Sequence, residues 1–393
     1  IGSVAFDEEV DRTASRVPTL KLLLRVGQRG DAPGALNYGE VLASSAPTLS
    51  DPDRSDIDIY MLCTGGTTGM PKGVMWPHKS ILMAALGGGG IYFGRPPIKT
   101  PEELAEFVPH GPALTYFATA PMMHGAAMWA TLISLLAGHT VVVNDQPSFD
   151  AEHVWDIVVR DGVNILSVVG DAMALPLIRA LEIQPGRWNL QHLRTFGNGG
   201  AVFSKHLQER LKALLPHISI NNSMGSSEAG LVGGKERPPG SDGMLQMEPR
   251  PDLAVIDDEL CIVTAPGSEG TLACTGYTPI GYYGDPKKSA ETFITLSGRL
   301  WVLTGDRPRV DVDGQYVILG RGSQCINSGG EKIYPEEVEE AARRYAAVGD
   351  VQVVGVPDER WGQKVAAVVQ VAAGASFDRT EFDRICRRSE EHT

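Results

Sequence analysis

The stretch from Thr64 to Gly73 reads T-G-G-T-T-G-M-P-K-G. It follows an apolar run, Ile57–Leu62, which predicts a strand, and it precedes a helix-like segment at His78–Leu86. Glycines let backbone N–H groups approach phosphate oxygens, threonine hydroxyls donate hydrogen bonds, and Lys72 supplies positive charge. The P-loop pattern G-x-x-x-x-G-K-[ST] is not met, because Lys72 is followed by a glycine. The stretch therefore predicts a phosphate loop of another kind, with a flexible surface turn as the alternative.

The composition is that of an ordinary globular protein. The chain has 393 residues, 42% of them hydrophobic and 21% charged, with a net charge of −13. This length suggests about two or three domains. The negative charge argues against binding to nucleic acid or to an anionic membrane. No apolar run is long enough to cross a bilayer. The five cysteines lack C-x-x-C spacing, so neither a zinc site nor a disulfide framework is indicated, and we expect a cytoplasmic protein.

Strand and helix patterns alternate through the middle of the chain. In order they are strand 115–119, helix 125–137, strand 140–143, helix 151–161, strand 165–169, helix 172–180, strand 193–198 and helix 204–215. Such alternation predicts an α/β fold, with a large layered α/β domain that holds parallel strands inside. Short strands and turns over 251–316 predict a β-rich part. Beyond Arg321 we expect a small, mobile α+β C-terminal domain.

Two further segments have the residues of a nucleotide site. The run Gly197–Ala201 turns from a strand into a helix, and residues with little side chain allow a flat ring to lie against the backbone. It does not meet the dinucleotide-binding pattern G-x-G-x-x-G/A, because Val202 stands where the last glycine or alanine is required. A tight turn without a binding role is the alternative. Glu228, which ends the segment Asn222–Glu228, is a carboxylate suited to magnesium, which prefers hard oxygen ligands.

In this order and spacing, the segments between residues 64 and 321 resemble the motifs of the adenylate-forming, AMP-binding superfamily, and most closely the acyl-CoA synthetase or fatty-acid-CoA ligase type. The phosphate loop matches the family's T-G-G-T-T-G-x-P-K-G, and Gly199–Ala201 resembles its adenine-binding G-G-A-P with Val202 in place of proline. Met224 stands where an aromatic residue is common, and Ser227 replaces a threonine.

The resemblance implies roles for particular residues. The implied catalytic residues are Thr67, Lys72, Ser227 and Glu228, and Glu228 is the implied Mg²⁺ ligand. The implied nucleotide- and CoA-binding residues are Thr64, Gly65, Gly66, Thr67, Thr68, Gly69, Lys72, Gly199, Gly200, Ala201, Met224, Gly225, Ser227, Asp306, Arg321, Gly329 and Gly330. Among them, Asp306 and Arg321 would hold the ribose, and Gly329 and Gly330 would face the CoA arm. Met123, His124 and Gly199 would line the acyl pocket.

The resemblance also implies a domain plan. Residues 1–320 would be the large AMP-binding domain without its N-terminal part, 321–323 a hinge with Ser323 as pivot, and 324–393 a truncated small domain. The final residues match the translation of a common sequencing adapter, so we expect an artefact there. The family's adenylation lysine would lie beyond the sequence, so we expect this polypeptide to adenylate poorly.

The implied reaction joins a carboxylic acid to AMP with ATP and Mg²⁺, and then transfers the acyl group to coenzyme A. Apolar surroundings of the acyl pocket favour a fatty or steroid-like acid, as in actinobacterial CoA ligases. The partners would then be small molecules only. Two alternatives remain open at this point: an adenylation enzyme that loads an acyl carrier protein, and a non-catalytic nucleotide-binding relative.

Overall fold

The structure is a computed structural model. It describes residues 2–3, 10, 12, 14, 16–26, 35–46, 53–64, 72–90, 96–108, 113–144, 146, 148–201, 203–233, 245–322, 325–328, 331–358 and 362–388. The chain forms two compact units, Ile1–Arg54 and Ser55–Thr393. The first unit holds a parallel sheet of β1 (Gly2–Ser3), β2 (Leu23–Val26) and β3 (Ala35–Asn37), followed by helix α1 (Tyr38–Ser44).

A mixed sheet forms the centre of the second unit. Its strand order is β11-β10-β9-β8-β6-β7, and every pairing is parallel except that of β10 with β11. The strands are β6 (Thr115–Ala118), β7 (Thr140–Val142), β8 (Ile165–Val168), β9 (Thr195–Gly199), β10 (Ser219–Ser226) and β11 (Gly230–Gly233). The connecting helices are α4 (Gly125–Leu136), α5 (Ala151–Arg160), α6 (Gly170–Ile183) and α7 (Lys205–Leu214). The predicted α/β fold is confirmed.

Helix α5 shows how the sequence specifies these elements. The Asp150 carboxylate caps its start by accepting hydrogen bonds from the backbone N–H groups of Glu152 and His153. Its apolar residues recur at helical spacing, and Trp155 among them is fully buried. The Trp155 indole N–H donates to the Leu177 carbonyl of α6, 3.0 Å away. Burial of each such side chain contributes about 1.5–3 kcal/mol, and the cap about 1 kcal/mol.

A small antiparallel sheet lies beside the central one, in the order β16-β5-β4. It consists of the hairpin β4 (Ile59–Thr64) and β5 (Lys72–Pro77), with β16 (Gly281–Tyr282) paired to β5. Helix α2 (His78–Ala85) follows directly, and α3 (Glu103–Phe107) comes later. Strand β5 is a finding beyond the sequence prediction, which placed only a helix after the phosphate loop.

The β-rich part over 251–316 is present as predicted. A five-stranded antiparallel sheet runs in the order β14-β13-β15-β18-β17, and a three-stranded one in the order β12-β20-β19. Their strands are β12 (Gln246–Met247), β13 (Leu253–Ile256), β14 (Ile262–Val263), β15 (Thr271–Thr275), β17 (Phe293–Leu296), β18 (Arg299–Leu303), β19 (Asp306–Val310) and β20 (Tyr316–Arg321), and helix α8 (Pro286–Thr292) precedes β17.

The C-terminal part forms a four-stranded antiparallel sheet in the order β22-β21-β24-β23, with two helices. Its elements are β21 (Ile326–Ser328), β22 (Glu331–Ile333), α9 (Pro335–Arg343), β23 (Val348–Asp358), β24 (Gly362–Val371) and α10 (Arg379–Arg388). This α+β composition agrees with the expected small domain, while the boundary at 320/321 stays a prediction. Among the described helices, none combines the length and apolar character needed to cross a bilayer.

Candidate active site

The ends of the β4–β5 hairpin hold two of the predicted phosphate-loop residues. Thr64 and Lys72 are cross-strand partners, so the loop between them starts and ends at one place. Gly65, Gly66, Thr67, Thr68 and Gly69 lie outside the described residues, and their phosphate-binding role stays a prediction.

The hairpin is tied to the central sheet through a tryptophan. Trp76 of β5 is fully buried and packs edge-on against Trp129 of α4, with ring centroids 6.1 Å apart. Its indole N–H donates to the Ser227 carbonyl across 2.8 Å. Ser227 and Glu228 form the turn that follows β10, so this contact places the turn beside the hairpin.

Tyr282 completes the group at this turn. Its hydroxyl donates to Glu228 Oε1 at 2.9 Å, and the ammonium of Lys72 lies 5.2 Å from the centroid of its ring. Burial, and secondly the charge of Glu228, raise the pKa of Tyr282 above its ordinary value of 10.0. The phenol therefore stays a donor to the carboxylate at neutral pH. Lys72 and Glu228, which the sequence predicted as catalytic, are brought together here.

The sequence prediction did not include Tyr282 among the site residues. The Gly281–Tyr283 segment resembles a family motif, and that resemblance was the available signal. A packing role and a direct role could not be separated from sequence, because the contact with Glu228 spans 54 positions of the chain.

The predicted adenine segment lies at the carboxyl end of β9, held by the buried side chain of Asn198. Asn198 Oδ1 accepts from the Gly170 N–H at 2.7 Å. Its amide nitrogen donates to the Ala201 carbonyl at 3.0 Å and to Asn222 Oδ1 at 3.2 Å. Ser223 Oγ donates to the Asn198 carbonyl at 2.9 Å. These bonds fix the turn through Gly199 and Gly200 from both neighbouring strands.

Gly199 and Gly200 keep this turn free of side chains. A Cβ on Gly199 would stand 3.0 Å from Ser223 Oγ, and Gly200 has a φ of +83°, which favours glycine. The exposed faces of Gly200 and Ala201 border the start of α4. There a Cβ on Gly200 would come within 3.9 Å of Ala126. This bare backbone would accommodate a flat ring, and its adenine-binding role stays a prediction.

The predicted acyl-pocket residues stand just before α4. His124 is the residue preceding the helix and is exposed, and Met123 has an exposed fraction of 75%. Gly199 is half-buried at the end of β9. Met123 and His124 are therefore exposed to solvent, and the contact of all three residues with an acyl group stays a prediction.

Asp306 and Arg321 are cross-strand partners in β19 and β20, and their contact with a ribose stays a prediction. Asp306 is 7% exposed. Met224 of β10 packs on a hydrophobic cluster that includes Cys274 and Val310, and this cluster links β10 to the β-rich part. Gly225 lies next to it in β10. Ser323, Gly329 and Gly330 lie outside the described residues.

The residues present fit a magnesium ion that takes most of its ligands from a substrate. Among the described residues there is no group of three or more His, Cys, Asp or Glu side chains that could enclose a metal. Magnesium commonly binds through one or two carboxylates together with substrate phosphates and waters. Tyr282 engages only Oε1 of Glu228 within the part of the chain described, so the second carboxylate oxygen is available as such a ligand.

Comparisons with known proteins show the family of this chain. A family model described as "AMP-binding enzyme" matches residues 3–283, and a second, "AMP-binding enzyme C-terminal domain", matches residues 337–390. The chain belongs to the AMP-binding enzyme family. The resemblance of the sequence motifs to adenylate-forming enzymes is thereby confirmed.

Several curated family members are similar over most of the chain. It is 39% identical to the medium-chain acyl-CoA ligase Mig of Mycobacterium avium, over 96% of this chain and 69% of that protein. It is also 39% identical to a medium/long-chain-fatty-acid–CoA/3-oxocholest-4-en-26-oate–CoA ligase of Mycobacterium tuberculosis (strain ATCC 25618 / H37Rv), over 90% of this chain and 64% of that protein. The chain thus spans about two thirds of the length of these relatives.

Solved structures show the same fold. The anthranilate CoA ligase AuaEII in complex with anthranoyl-AMP has a TM-score of 0.77, with 21% identity over 100% of this chain and 71% of that one. ATP-bound MatB from Rhodopseudomonas palustris has a TM-score of 0.75, with 22% identity over 98% of this chain and 71% of that one.

The C-terminal part of this family member contacts helix α6 through a half-buried ion pair. Arg343 Nη2 of α9 lies 3.8 Å from Asp171 Oδ2 of α6, and its guanidinium also lies 3.4 Å from Glu339 Oε2. Asp171 Oδ1 accepts from the Ser204 N–H at 2.8 Å. A cavity of ≈ 310 Å³ adjoins the pair, and His206 and Asp350 are among its lining residues.

Burial raises the pKa of Asp171 above its ordinary value of 3.8, although the Ser204 N–H and Arg343 oppose the shift and Asp350 adds to it. A carboxyl whose folded-state pKa is raised binds protons more readily in the folded protein. Its contribution to stability is therefore lost as pH rises through the window above 3.8. Burial also lowers the pKa of the neighbouring His206.

An Asn198→Asp substitution tests the adenine turn. Asp keeps the acceptor for the Gly170 N–H but places a carboxylate oxygen against the carbonyl of Ala201 and the amide oxygen of Asn222. We expect the free energy of unfolding to fall by about 1–3 kcal/mol, the cost of a buried group left without its partner. AMP affinity, measured by calorimetry, should fall as well.

The control for Asn198→Asp is Asn189→Asp, at an exposed residue whose Oδ1 accepts from the Gln191 N–H. If Asn198→Asp and Asn189→Asp lowered the free energy of unfolding and the AMP affinity by the same amounts, the role of Asn198 in the turn would be contradicted.

An Asp171→Asn substitution tests the half-buried ion pair. The stability of the variant relative to the parent protein should rise as pH is raised from 4.0 to 7.5, because the variant no longer ionises a buried carboxyl. Chemical unfolding at several pH values measures this difference. Asp161→Asn is the control, because the hydrogen bond from Arg160 lowers the pKa of Asp161, so the stability difference of that variant should change mainly below pH 3.8 and little over this range. If the difference in unfolding free energy between Asp171→Asn and the parent protein did not change with pH, the pKa of Asp171 would not be raised.

Proposed function

We propose that this protein activates a hydrophobic carboxylic acid, fatty or steroid-like, with ATP and transfers the acyl group from the acyl-adenylate to coenzyme A. The observation that carries the proposal is the meeting of Lys72, Tyr282 and Glu228, where Glu228 lies in the turn after β10, the strand that pairs with Gly199 of β9. An ammonium and a carboxylate at one place suit a polyphosphate and its divalent cation, and the neighbouring backbone suits a flat base. Relatives at 39% identity are named for fatty-acid and 3-oxocholestenoate CoA ligation, which supports this reaction.

The nucleotide would lie along the ends of β9 and β10. The predicted phosphate loop Thr64–Lys72 and the Ser227 hydroxyl would bind its phosphates. Glu228 would hold Mg²⁺, which neutralises phosphate charge when bound. The paired strand positions of Asp306 and Arg321 support their predicted role at the ribose. In such reactions most of the rate comes from positioning and from neutralising charge, and these side chains supply both.

The acyl chain would enter past Met123 and His124 towards Gly199. Exposed methionine and small residues there accommodate an apolar chain, because methionine adapts its shape to irregular contacts. The substrates named for the relatives, medium- and long-chain fatty acids and a steroid acid, share this apolar character. We propose the same class of acid here.

The second half-reaction would need the C-terminal part to move. We propose Ser323 as the pivot and Gly329–Gly330 as the contact to the CoA arm, as the family motifs imply. The Asp171–Arg343 pair supports an interface that could separate during this rotation, since one weak contact of 3.8 Å joins the two charges. The reaction would take place in the cytoplasm, which suits a chain whose cysteines show no pairing pattern.

The test is an assay with the protein expressed from the full reading frame that contains this chain. It measures pyrophosphate release from ATP and Mg²⁺ with a panel of carboxylic acids, and then acyl-CoA formation after CoA is added. We expect release and thioester formation with a C8–C18 or steroid acid. Glu228→Gln should lower the rate of release by about 10²–10³, the usual effect of removing one group that stabilises developing charge. Glu259→Gln, at an exposed glutamate, is the matched control.

The other outcomes would change the assignment. Release without transfer to CoA would favour the loading of a carrier protein over CoA ligation. No release with any acid, although ATP binds, would contradict the proposed activity and leave a nucleotide-binding protein.

A further inference from the structure

Tyr282 is held in one position by its backbone and its neighbours. It pairs with Val74 of β5, its N–H donates to Ser289 Oγ at 2.9 Å, and its ring packs edge-on against Phe293 at 5.4 Å. Gly281 before it has a φ of +143°, and a Cβ there would stand 3.1 Å from Ser289 Oγ. The side chain is therefore directed by constraints that do not involve Glu228 or Lys72.

From this fixed position Tyr282 contacts both charged side chains of the candidate site. Its hydroxyl binds the Glu228 carboxylate, and its ring face lies under the Lys72 ammonium. Lys72 comes from the β4–β5 hairpin and Glu228 from the turn after β10. No ion pair joins the two in the described residues, so their common partner is this tyrosine.

Packing alone does not require the hydroxyl. A phenylalanine would fill the same space and would still pack against Phe293. Tyr60 belongs to the same hydrophobic cluster, yet its hydroxyl reaches only the sulfur of Met128, at 3.3 Å. The bond from Tyr282 goes instead to a carboxylate, and hydrogen bonds to charged groups are the stronger ones.

We propose that Tyr282 is a positioning residue, which holds Glu228 and Lys72 at a set separation so that a divalent cation and a polyphosphate bind between them. This inference rests on the proposed function, because it takes Glu228 as the ligand of that cation. The hydroxyl restricts the Glu228 carboxylate to one orientation and occupies one of its oxygens, which directs the other towards the cation. The Tyr282 ring limits the positions of the Lys72 ammonium but does not neutralise its charge, which can therefore bind a phosphate.

The experiment measures binding and does not depend on turnover. The affinity for a non-hydrolysable ATP analogue is determined by calorimetry with saturating Mg²⁺ and with EDTA, for Tyr282→Phe and for the control Tyr60→Phe. We expect Tyr282→Phe to weaken Mg²⁺-dependent binding by about tenfold or more, the effect of losing a hydrogen bond to a charged group. Binding in EDTA should change by less than about twofold, because the ring remains under Lys72. Tyr60→Phe should change neither affinity.

A double-mutant cycle with Glu228→Gln separates positioning from a general loss of stability. If Tyr282 acts through Glu228, the double variant binds no more weakly than Glu228→Gln alone. Additive effects, or a loss in EDTA equal to that in Mg²⁺, would overturn the positioning role. If Glu228→Gln loses Mg²⁺-dependent binding and Tyr282→Phe does not, the positioning role of Tyr282 is rejected, while Glu228 remains the ligand of the cation. If neither variant changes binding, the assignment of the site itself fails.

Discussion

The candidate site depends on the contact between the β4–β5 hairpin and the turn after β10. The buried indole of Trp76 donates to the Ser227 carbonyl, and Tyr282, paired to the same hairpin, donates to Glu228. These two bonds join a small antiparallel sheet to the mixed central sheet, whose strands come from a different part of the chain. Without them, the cation of the hairpin and the carboxylate of the central sheet would have no fixed separation.

The other half of the site depends on how parallel strands end. The carboxyl ends of β9 and β10 meet at one edge of the sheet, where open α/β folds commonly bind ligands. Backbone groups that leave a sheet must find new partners, and the Asn198 side chain bonds two of them, the Gly170 N–H and the Ala201 carbonyl, and also the side-chain oxygen of Asn222 in β10. The turn can therefore remain without bulky side chains and still be rigid. A bare, rigid backbone surface is what a flat base needs.

The sequence predicted those helices and strands that are specified by their own capping residues and hydrophobic spacing. Helix α5 begins at its predicted residue and ends one residue before its predicted end. The prediction succeeded because Asp150 caps the helix and its apolar residues keep helical spacing. Strand β10 was not predicted, because its polar run Asn221–Ser223 has low strand propensity and is held in the sheet by pairing with β9. The contacts of Tyr282 could not be predicted for a similar reason. Its partners Lys72 and Glu228 are far away in the sequence, and only the sheet pairing brings them to it.

The most direct test of this account is hydrogen exchange of the backbone amides, with and without saturating MgATP and a fatty acid. The account predicts slower exchange in the hairpin strands 59–64 and 72–77, in the turn 197–201, and at 226–228 and 281–283. The β13–β14 hairpin, 253–263, should exchange at an unchanged rate. Protection of that hairpin instead, or no protection at 197–201 and 226–228 with ATP bound, would contradict the placement of the nucleotide.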